Sequence, residues 1–397
     1  MKVLIIGGSM AGLFAALLLR QRGIEVVVFE RAATELSGRG AGIATHTQIL
    51  DVIESLELDT RDLGVGIRLR RVFGSDGRLI AETERRQLMT SWDRLFTLLR
   101  AALPAACYRR GHEFVHAEQN KGAVTAQFAD GSRASGDLLI GADGLRSGVR
   151  TSLIEQQPLL YAGYVAWRAL AAEQAFPREL HDDLFDALGF SLPPGEQMLG
   201  YPVAGPGNDL RPGHRRYNIV WYRPADKPTL ARLLTDARGH RHDISIPPPL
   251  IPEVTIAEMR GARAILAPQF QAVLDVCDRP FLQPIYDFEV ARMHAGRVAL
   301  IGDAAFVVRP HVGAGVAKAA QDAAALAQAV ATTDSIEAAL EAFEAARQPI
   351  GRRMVGRGRD LGAAMQAQLS TEHEHAMAGR YREPAAVLAD TATLDFL

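Results

Sequence analysis

KVLIIGGSMAGLFAALLLRQRGIEVVVFE, residues 2–30, decides the fold. Residues 2–6 (KVLII) are a short continuous apolar run, which predicts a strand buried on both faces. Gly7-Gly8-Ser9-Met10-Ala11-Gly12 follows at once, then an Ala/Leu-rich helical stretch over 13–22 that stops at Gly23. A second strand over 24–29 ends at Glu30. This is a βαβ unit with a tight glycine turn at the helix start. Free backbone N–H groups and the helix dipole there point at a pyrophosphate. Glu30, at the end of the second strand, is placed to accept hydrogen bonds from a ribose diol. The stretch predicts dinucleotide binding over the competing reading of an ordinary βα turn. Ser9 stands where the pattern usually has glycine, so a displaced loop or a hydroxyl–phosphate contact is expected there.

At 397 residues the chain has room for one large core or two to three domains. A net charge of -2 argues against a nucleic-acid binder driven by phosphate contacts. Cys107 and Cys277 give neither a disulfide framework nor a metal cluster, and both are expected to be buried small hydrophobes in a reducing compartment. No apolar run reaches the roughly 18 residues that span a bilayer. The N-terminus runs straight into a strand without a signal-peptide pattern. The expectation is a soluble, cytoplasmic protein without metal, nucleic-acid or membrane partners.

Working outward, a glycine-rich segment over 36–43, with Gly38, Gly40 and Gly42 before Ile43, suggests backbone passing close to something flat or charged. His46 precedes a helical stretch over 49–58; it either points at a bound ring or caps the helix at the surface. Residues 67–83 read as a hairpin turning at Asp76-Gly77, 92–103 as a helix, and 124–128 as a strand turning at Asp130-Gly131. A buried strand over 138–140 delivers Gly141-Ala142-Asp143-Gly144 into a tight turn, with Ser147 and Arg150 at a helix start. Open α/β sheets bind ligands beyond the carboxyl ends of their strands, so this turn must meet the first one in a single crevice.

From about 161 to 281 prolines and turns separate β-like runs at 164–169, 198–203 and 217–222, a second and mainly antiparallel module. Aromatic residues concentrate there, either packing the sheet or lining a pocket for a planar ligand. The α/β texture returns with a strand at 297–301, Gly302-Asp303-Ala304-Ala305, then Pro310, Gly313 and Gly315 before an Ala-rich helix over 316–331. Residues 336–369 read as helical, with Arg352 to Arg359 as a solvated face or a binding patch. The last fifteen or so residues are expected to be loosely ordered. The fold class is α/β: a Rossmann-like domain, a second, mainly antiparallel β domain, and C-terminal helices.

Three motifs in order, the fingerprint ending at Glu30, Gly141-Ala142-Asp143-Gly144 with Arg146, Ser147 and Arg150, and Gly302-Asp303-Ala304-Ala305 with Pro310, Gly313, Gly315 and Asp322, resemble those of the single-component FAD-dependent aromatic hydroxylases, the para-hydroxybenzoate and salicylate hydroxylase group. The resemblance covers about residues 1–340. Gly7-Gly8-Ser9, residues 161–168 (YAGYVAWR) and Arg309-Pro310-His311 with Ala317-Lys318-Ala319 look most like the 2,6-dihydroxypyridine 3-hydroxylase branch. The resemblance implies a discontinuous FAD-binding domain (1–70, 96–165 and 283–345), a substrate domain (71–95 and 166–282) and a C-terminal helix and tail (346–397). It implies that Gly7, Ser9, Met10, Ala11 and Gly12 hold the FAD pyrophosphate, and Glu30 and Arg31 the adenosine end. Gly42, Ile43, Asp143, Gly302, Asp303 and Pro310 would contact the cofactor. The helix opened by Gly313, Ala314, Gly315 and Val316 would face the flavin N1/O2 edge, where its dipole favours reduced flavin. Phe306, Ala317 and Trp92 depart from residues common in the family.

The implied reaction is hydroxylation of an electron-rich aromatic or hydroxypyridine ring with NADH or NADPH and O2, through a flavin C4a-hydroperoxide, in a dry site. Groups suited to ionising the substrate hydroxyl are His46, His311 and Tyr217, with Tyr201 and Tyr222 beside them; the two histidines come first because both neighbour the flavin-side loops. A homodimer is a family-level expectation. Competing readings are a flavin reductase or oxidase, a non-catalytic flavin protein, or an NAD-dependent dehydrogenase, the last leaving Asp143 and Asp303 unexplained.

Overall fold

The computed structural model describes residues 1–36, 42–153 and 158–397. The glycine-rich segment therefore lies mostly outside the described residues, from 37 to 41.

The first stretch folds as the sequence predicts: strand Lys2–Ile6, helix Met10–Gln21, strand Glu25–Glu30. Residues 3–6 are fully or almost fully buried because the strand is central in its sheet. It pairs in parallel with Glu25–Glu30 on one side and with Leu138–Gly141 on the other. Leu138–Gly141 pairs in turn with Val298–Leu300, also in parallel. Tyr108–Arg110 and His294–Ala295 complete six strands. The parallel register brings the carboxyl ends of the three motif strands to one edge, as the crevice argument requires.

The second sheet has nine strands in the order Phe306–Val307, Phe281–Glu289, Leu160–Ala172, Arg216–Pro224, Gln197–Val203, Ala187–Ser191, Gly64–Phe73, Leu79–Ser91, Gly42–Thr45. Its pairing is antiparallel except between Gly64–Phe73 and Ala187–Ser191. Alternation along these strands separates two environments. Val165, Trp167, Tyr217, Ile219 and Trp221 pack into a core with Ile256 and Phe270 from the helices Glu253–Gly261 and Pro268–Val276. Tyr164, Ala166, Leu199, Tyr201, Val220 and Tyr222 face the opposite way, toward Met365, Leu388 and Ala392.

The C-terminal residues are not loose. Helix Pro384–Asp390 buries Val387 and Leu388, and Thr391 to Leu394 are buried after it. Arg70, 0% exposed, donates to the carbonyls of Leu388 (2.8 Å), Thr391 (2.5 Å) and Ala392 (3.2 Å). A cation at the orphan carbonyls of a helix end is favoured by both hydrogen bonding and the dipole. The basic run on helix Ile336–Gly362 is split by the same logic: Arg352 and Arg353 are exposed, whereas Arg359 clamps the buried Asp287 (2.8 Å) and Arg357 pairs with Asp390 (2.8 Å). Cys277 is buried as expected, but Cys107 is only half-buried. No helix of the described residues is long and apolar enough to cross a membrane.

Candidate active site

The first crevice is a cavity of about 380 Å³ lined by Gly7, Ser9, Glu30, Arg31, Trp92, Asp143 and Gly144. Gly7 has φ +105°, and a Cβ there would lie 2.3 Å from the Ala142 carbonyl oxygen. A Cβ on Gly12 would lie 1.9 Å from the Gly7 carbonyl. Both glycines are required by close approach of backbone to backbone. The Glu30 carboxylate accepts from the backbone N–H groups of Gly8 (2.9 Å) and Ala32 (2.8 Å), and the Tyr108 hydroxyl donates to the Gly8 carbonyl (2.9 Å). The glycine turn is thus braced from two sides. Ser9 is the helix N-cap, yet its side chain makes no capping bond. Met10, Ala11 and Gly12 are buried in helix packing rather than lining the crevice.

Asp143 accepts from the Ser147 hydroxyl and the Val149 N–H (3.1 Å), so it folds its own turn. Burial pushes its carboxyl above the usual range against those bonds. Arg150 donates to the carbonyls of Ala304 and Leu145, both at 2.8 Å, and ties the second motif to the third. Gly302 touches Ala11, where a Cβ would come within 2.9 Å, and its N–H donates to Asp322 (3.0 Å). Asp322 is held by Arg347 (2.8 Å). The three motifs therefore form one interlocked edge.

A second cavity, of about 210 Å³, lies against the outer sheet face just described. Gly42, Ile43, Asp303, Pro310, His311 and residues 313–316 form its floor. Helix Gly315–Thr332 starts there with Ala314 as N-cap and no side-chain cap. Some helices elsewhere carry side-chain caps, such as Ser335 on Ile336–Gly362 and Thr371 on Glu372–Arg380, and others, such as Thr47–Ser55 and Glu253–Gly261, do not. Lys318, on the same helix, is 0% exposed; its Nζ is 3.4 Å from Asp303 Oδ1 and makes no hydrogen bond among the described residues. Two helix starts with free backbone N–H groups facing cavities, one of them beside buried Lys318 and its partner Asp303, suit a phosphate-bearing, polyhydroxylated cofactor.

Matches to known proteins agree with that geometry. Residues 1–166 and 282–358 match the FAD binding domain family, and 161–287 a family described as FAD binding domain-like. The chain belongs to the FAD binding domain family. It is 30% identical over 372 residues to the 2,6-dihydroxypyridine 3-monooxygenase of Paenarthrobacter nicotinovorans, covering 92% of this chain and 91% of that one. The solved 2,6-dihydroxypyridine-3-hydroxylase from Arthrobacter nicotinovorans superimposes with a TM-score of 0.87 at 28% identity, over 94% of each chain. Klebsiella pneumoniae HpxO, solved with FAD and uric acid, does so with a TM-score of 0.78 at 25% identity, over 96% of this chain and 92% of that one. FAD is accordingly the cofactor that this edge holds. The crevice of Gly7, Ser9 and Glu30 suits its pyrophosphate and ribose, and the second cavity its ring.

Above the floor, the walls come from the sheet. Met89, Leu188, Leu199 and Val220 are apolar; Tyr201, Tyr222 and Arg168 are polar. Burial pushes the Tyr201 hydroxyl up to about 12, with Arg168 pulling the other way, and raises Tyr222 further. His311 is 2% exposed, with Nε2 2.8 Å from the Tyr164 hydroxyl and its ring 4.2 Å from that of Tyr222. Burial, with the Arg309 charge behind it, lowers its pKa to about 3, so it is neutral at physiological pH.

His46 and Tyr217 do not stand where the sequence reading put them. His46 lines a separate cavity on the far side of Ala392, and its Nε2 is 3.1 Å from the Gly313 carbonyl oxygen. Burial lowers its pKa to about 4. It braces the Gly313 turn instead of facing a ring. Tyr217 points to the helix-backed core among Phe176 and Phe185, away from the cavity, and its hydroxyl has no hydrogen-bond partner among the described residues. Strand parity is the reason: 218, 220 and 222 face the cavity side, while 217, 219 and 221 face the other.

Arg168 was missed. Among the described residues its guanidinium bonds the neutral Gln283 side chain (3.0 Å), its Nε–H has no partner and no carboxylate pairs with it. Parity also carries the signal that finds it: Tyr164, Ala166 and Arg168 share one face, so a charge had to sit in the cavity wall.

Proposed function

We infer that this chain is an FAD-dependent monooxygenase that uses NADH or NADPH and O2 to hydroxylate an electron-rich aromatic or hydroxypyridine ring. When bound, FAD takes electrons from the nicotinamide and activates oxygen. The protein's own residues do the rest. The start of helix Gly315–Thr332 offers its positive end to the flavin edge that carries charge on reduction. Met89, Leu188, Leu199 and Val220 keep the reacting ring dry, which protects the activated oxygen from loss to water.

The single observation that carries the substrate class is Arg168, a cation without a carboxylate partner in an aromatic wall. It suits a ring whose hydroxyl is ionised. Tyr201 and Tyr222 keep their protons and serve as donors to the same oxygen. Ionisation makes the ring the better nucleophile toward oxygen. Neutral His311, tied to Tyr164, sets the cavity's shape and polarity beside them. The cofactor residues Gly7, Ser9, Glu30, Gly313 and Val316 support the same reading. We also propose a division in which residues 1–70, 96–165 and 283–345 carry the flavin, and 71–95 and 166–282 the substrate, although the strands Gly64–Phe73 and Leu160–Ala172 run across those borders.

The test is NADH and NADPH oxidation by the FAD-loaded protein across hydroxypyridines and hydroxybenzoates, with product mass. Substrate-stimulated oxidation yielding a product with one added oxygen is expected. Stimulation that yields hydrogen peroxide with every ring would sink the hydroxylase reading.

A further inference from the structure

Ala392 has a position that the reaction chemistry above does not use. With Thr391 it lines the flavin-side cavity of about 210 Å³. With Leu394 and Asp395 it also lines the neighbouring cavity of about 400 Å³ that contains His46 and Arg85. That second cavity reaches solvent: the Arg85 side chain is 34% exposed and that of Asp395 is 70% exposed. One stretch of backbone therefore stands between the flavin-side cavity and its neighbour.

The partition is held by polar contacts. Arg70 donates to the carbonyls of Leu388, Thr391 and Ala392 and to Gln87 Oε1 (2.9 Å), and Gln87 Nε2 donates to the Ala392 carbonyl (3.2 Å). Arg85 donates to Thr393 Oγ1 (3.0 Å) and Asp395 Oδ2 (2.7 Å). The Ala392 N–H donates to the His311 carbonyl (2.8 Å). Among the described residues no carboxylate pairs with Arg70. Its charge is balanced by backbone dipoles that water can replace, so releasing the segment rehydrates the guanidinium instead of stranding it. Ala392 sits at φ +50°, a strained conformation for a residue with a Cβ. The segment upstream is fixed differently: Val387 and Leu388 are buried, and Asp390 is held by Arg357 and Arg380. A firm base, a strained residue and replaceable polar anchors together describe a hinged strap.

We propose that residues 391–395 are the movable wall through which the reaction cavity opens to solvent, and that Arg70 is the positioning residue that latches it shut. The strap also packs on the flavin-side turn, since a Cβ at Gly313 would lie 3.4 Å from Ala392. Its seating therefore decides whether the flavin edge is exposed or covered. The inference rests on flavin occupying this cavity but not on which ring is hydroxylated.

The experiment uses the full-length, FAD-loaded protein without substrate or nicotinamide, so it can fail while the hydroxylase reading stands, and the reverse. Iodide quenching of flavin fluorescence reads solvent access to the ring; hydrogen exchange reads the strap. Arg70→Met is expected to raise the quenching constant several-fold and speed exchange over 391–397, while exchange over 2–30 stays unchanged. Arg70→Lys should restore part of both. Arg85→Gln, at a partly exposed side chain, gives the same shift in smaller measure and decides the matter if Arg70→Met does not fold. Faster exchange in the strap without a rise in quenching, or no change in either readout, overturns the proposal.

Discussion

The Tyr164 hydroxyl lies 2.8 Å from His311 Nε2, while Tyr222 packs on the His311 ring at 4.2 Å and the Arg309 guanidinium stands 5.7 Å over the Tyr164 ring. Neutral His311 shares one hydrogen bond with the Tyr164 hydroxyl through Nε2, its direction set by the imidazole tautomer. Tyr164→Phe leaves that nitrogen buried and unpaired, a cost of about 1–3 kcal/mol. Urea unfolding of the apoprotein should show that loss. The double variant with His311→Phe should lose less than the sum of the singles.

Arg168→Met removes a cation of the sheet wall that has no carboxylate partner among the described residues. A hydrogen bond to a charged group contributes about 1.5–3 kcal/mol, so KM for a hydroxypyridine or hydroxybenzoate substrate should rise roughly 10–100-fold. FAD affinity should hold, because Arg168 stands on the sheet strand Leu160–Ala172 and outside the glycine turns proposed to hold the cofactor. Equal loss of both would place Arg168 in cofactor binding instead.

Gly12→Ala puts a methyl group 1.9 Å from the Gly7 carbonyl, so the turn at the pyrophosphate site must shift. A cost of about 1–3 kcal/mol weakens FAD binding by about tenfold or more. Flavin absorbance of the purified protein and titration of the apoprotein check it.

The two buried histidines set an acid limit. Both have folded pKa values below the ordinary 6.5, about 4 for His46 and about 3 for His311. Between those values and 6.5 the unfolded chain binds more protons, so the stability they contribute is complete above 6.5 and falls as pH drops. Each contributes a slope of about 1.4 kcal/mol per pH unit in that window. Asp143, with its pKa raised, works in the opposite sense and only over its own titration. Thermal unfolding from pH 7 to pH 5 should show a falling midpoint, and His311→Phe should flatten it.

Tyr217→Phe is predicted to leave turnover unchanged and stability equal or higher by about 1 kcal/mol. The hydroxyl is buried without a partner, so its removal relieves a desolvation penalty. A drop in turnover with an intact melting curve would return Tyr217 to the chemistry.

Local signals were legible in the sequence and long-range ones were not. The βαβ unit, the Asp143 turn and the Gly302-Asp303 turn declare themselves within a few residues, because glycine positions and strand runs follow from backbone sterics. The order of the second sheet is not local, and it decides which alternate residues face the cavity; hence Tyr217 was chosen and Arg168 passed over. The C-terminal residues were expected to be loose because chain ends usually are. They are held by Arg70, more than three hundred positions earlier in the chain. His46 was placed near the correct loop, but its ring serves the Gly313 carbonyl, a contact that only the assembled fold supplies.

The two-faced character of the nine-stranded sheet has a consequence for how such enzymes diversify. Residues 168, 199, 201, 220 and 222 line the reaction cavity, with Tyr164 and Ala166 packed on the same sheet face, while neighbours in the chain such as 165, 167, 219 and 221 hold the helix-backed core. Substitutions at the cavity-lining positions can remodel the ring pocket while the core on the other face of the same strands stays as it is. One strand thus carries two separate sets of constraints, pocket shape on one face and helix packing on the other.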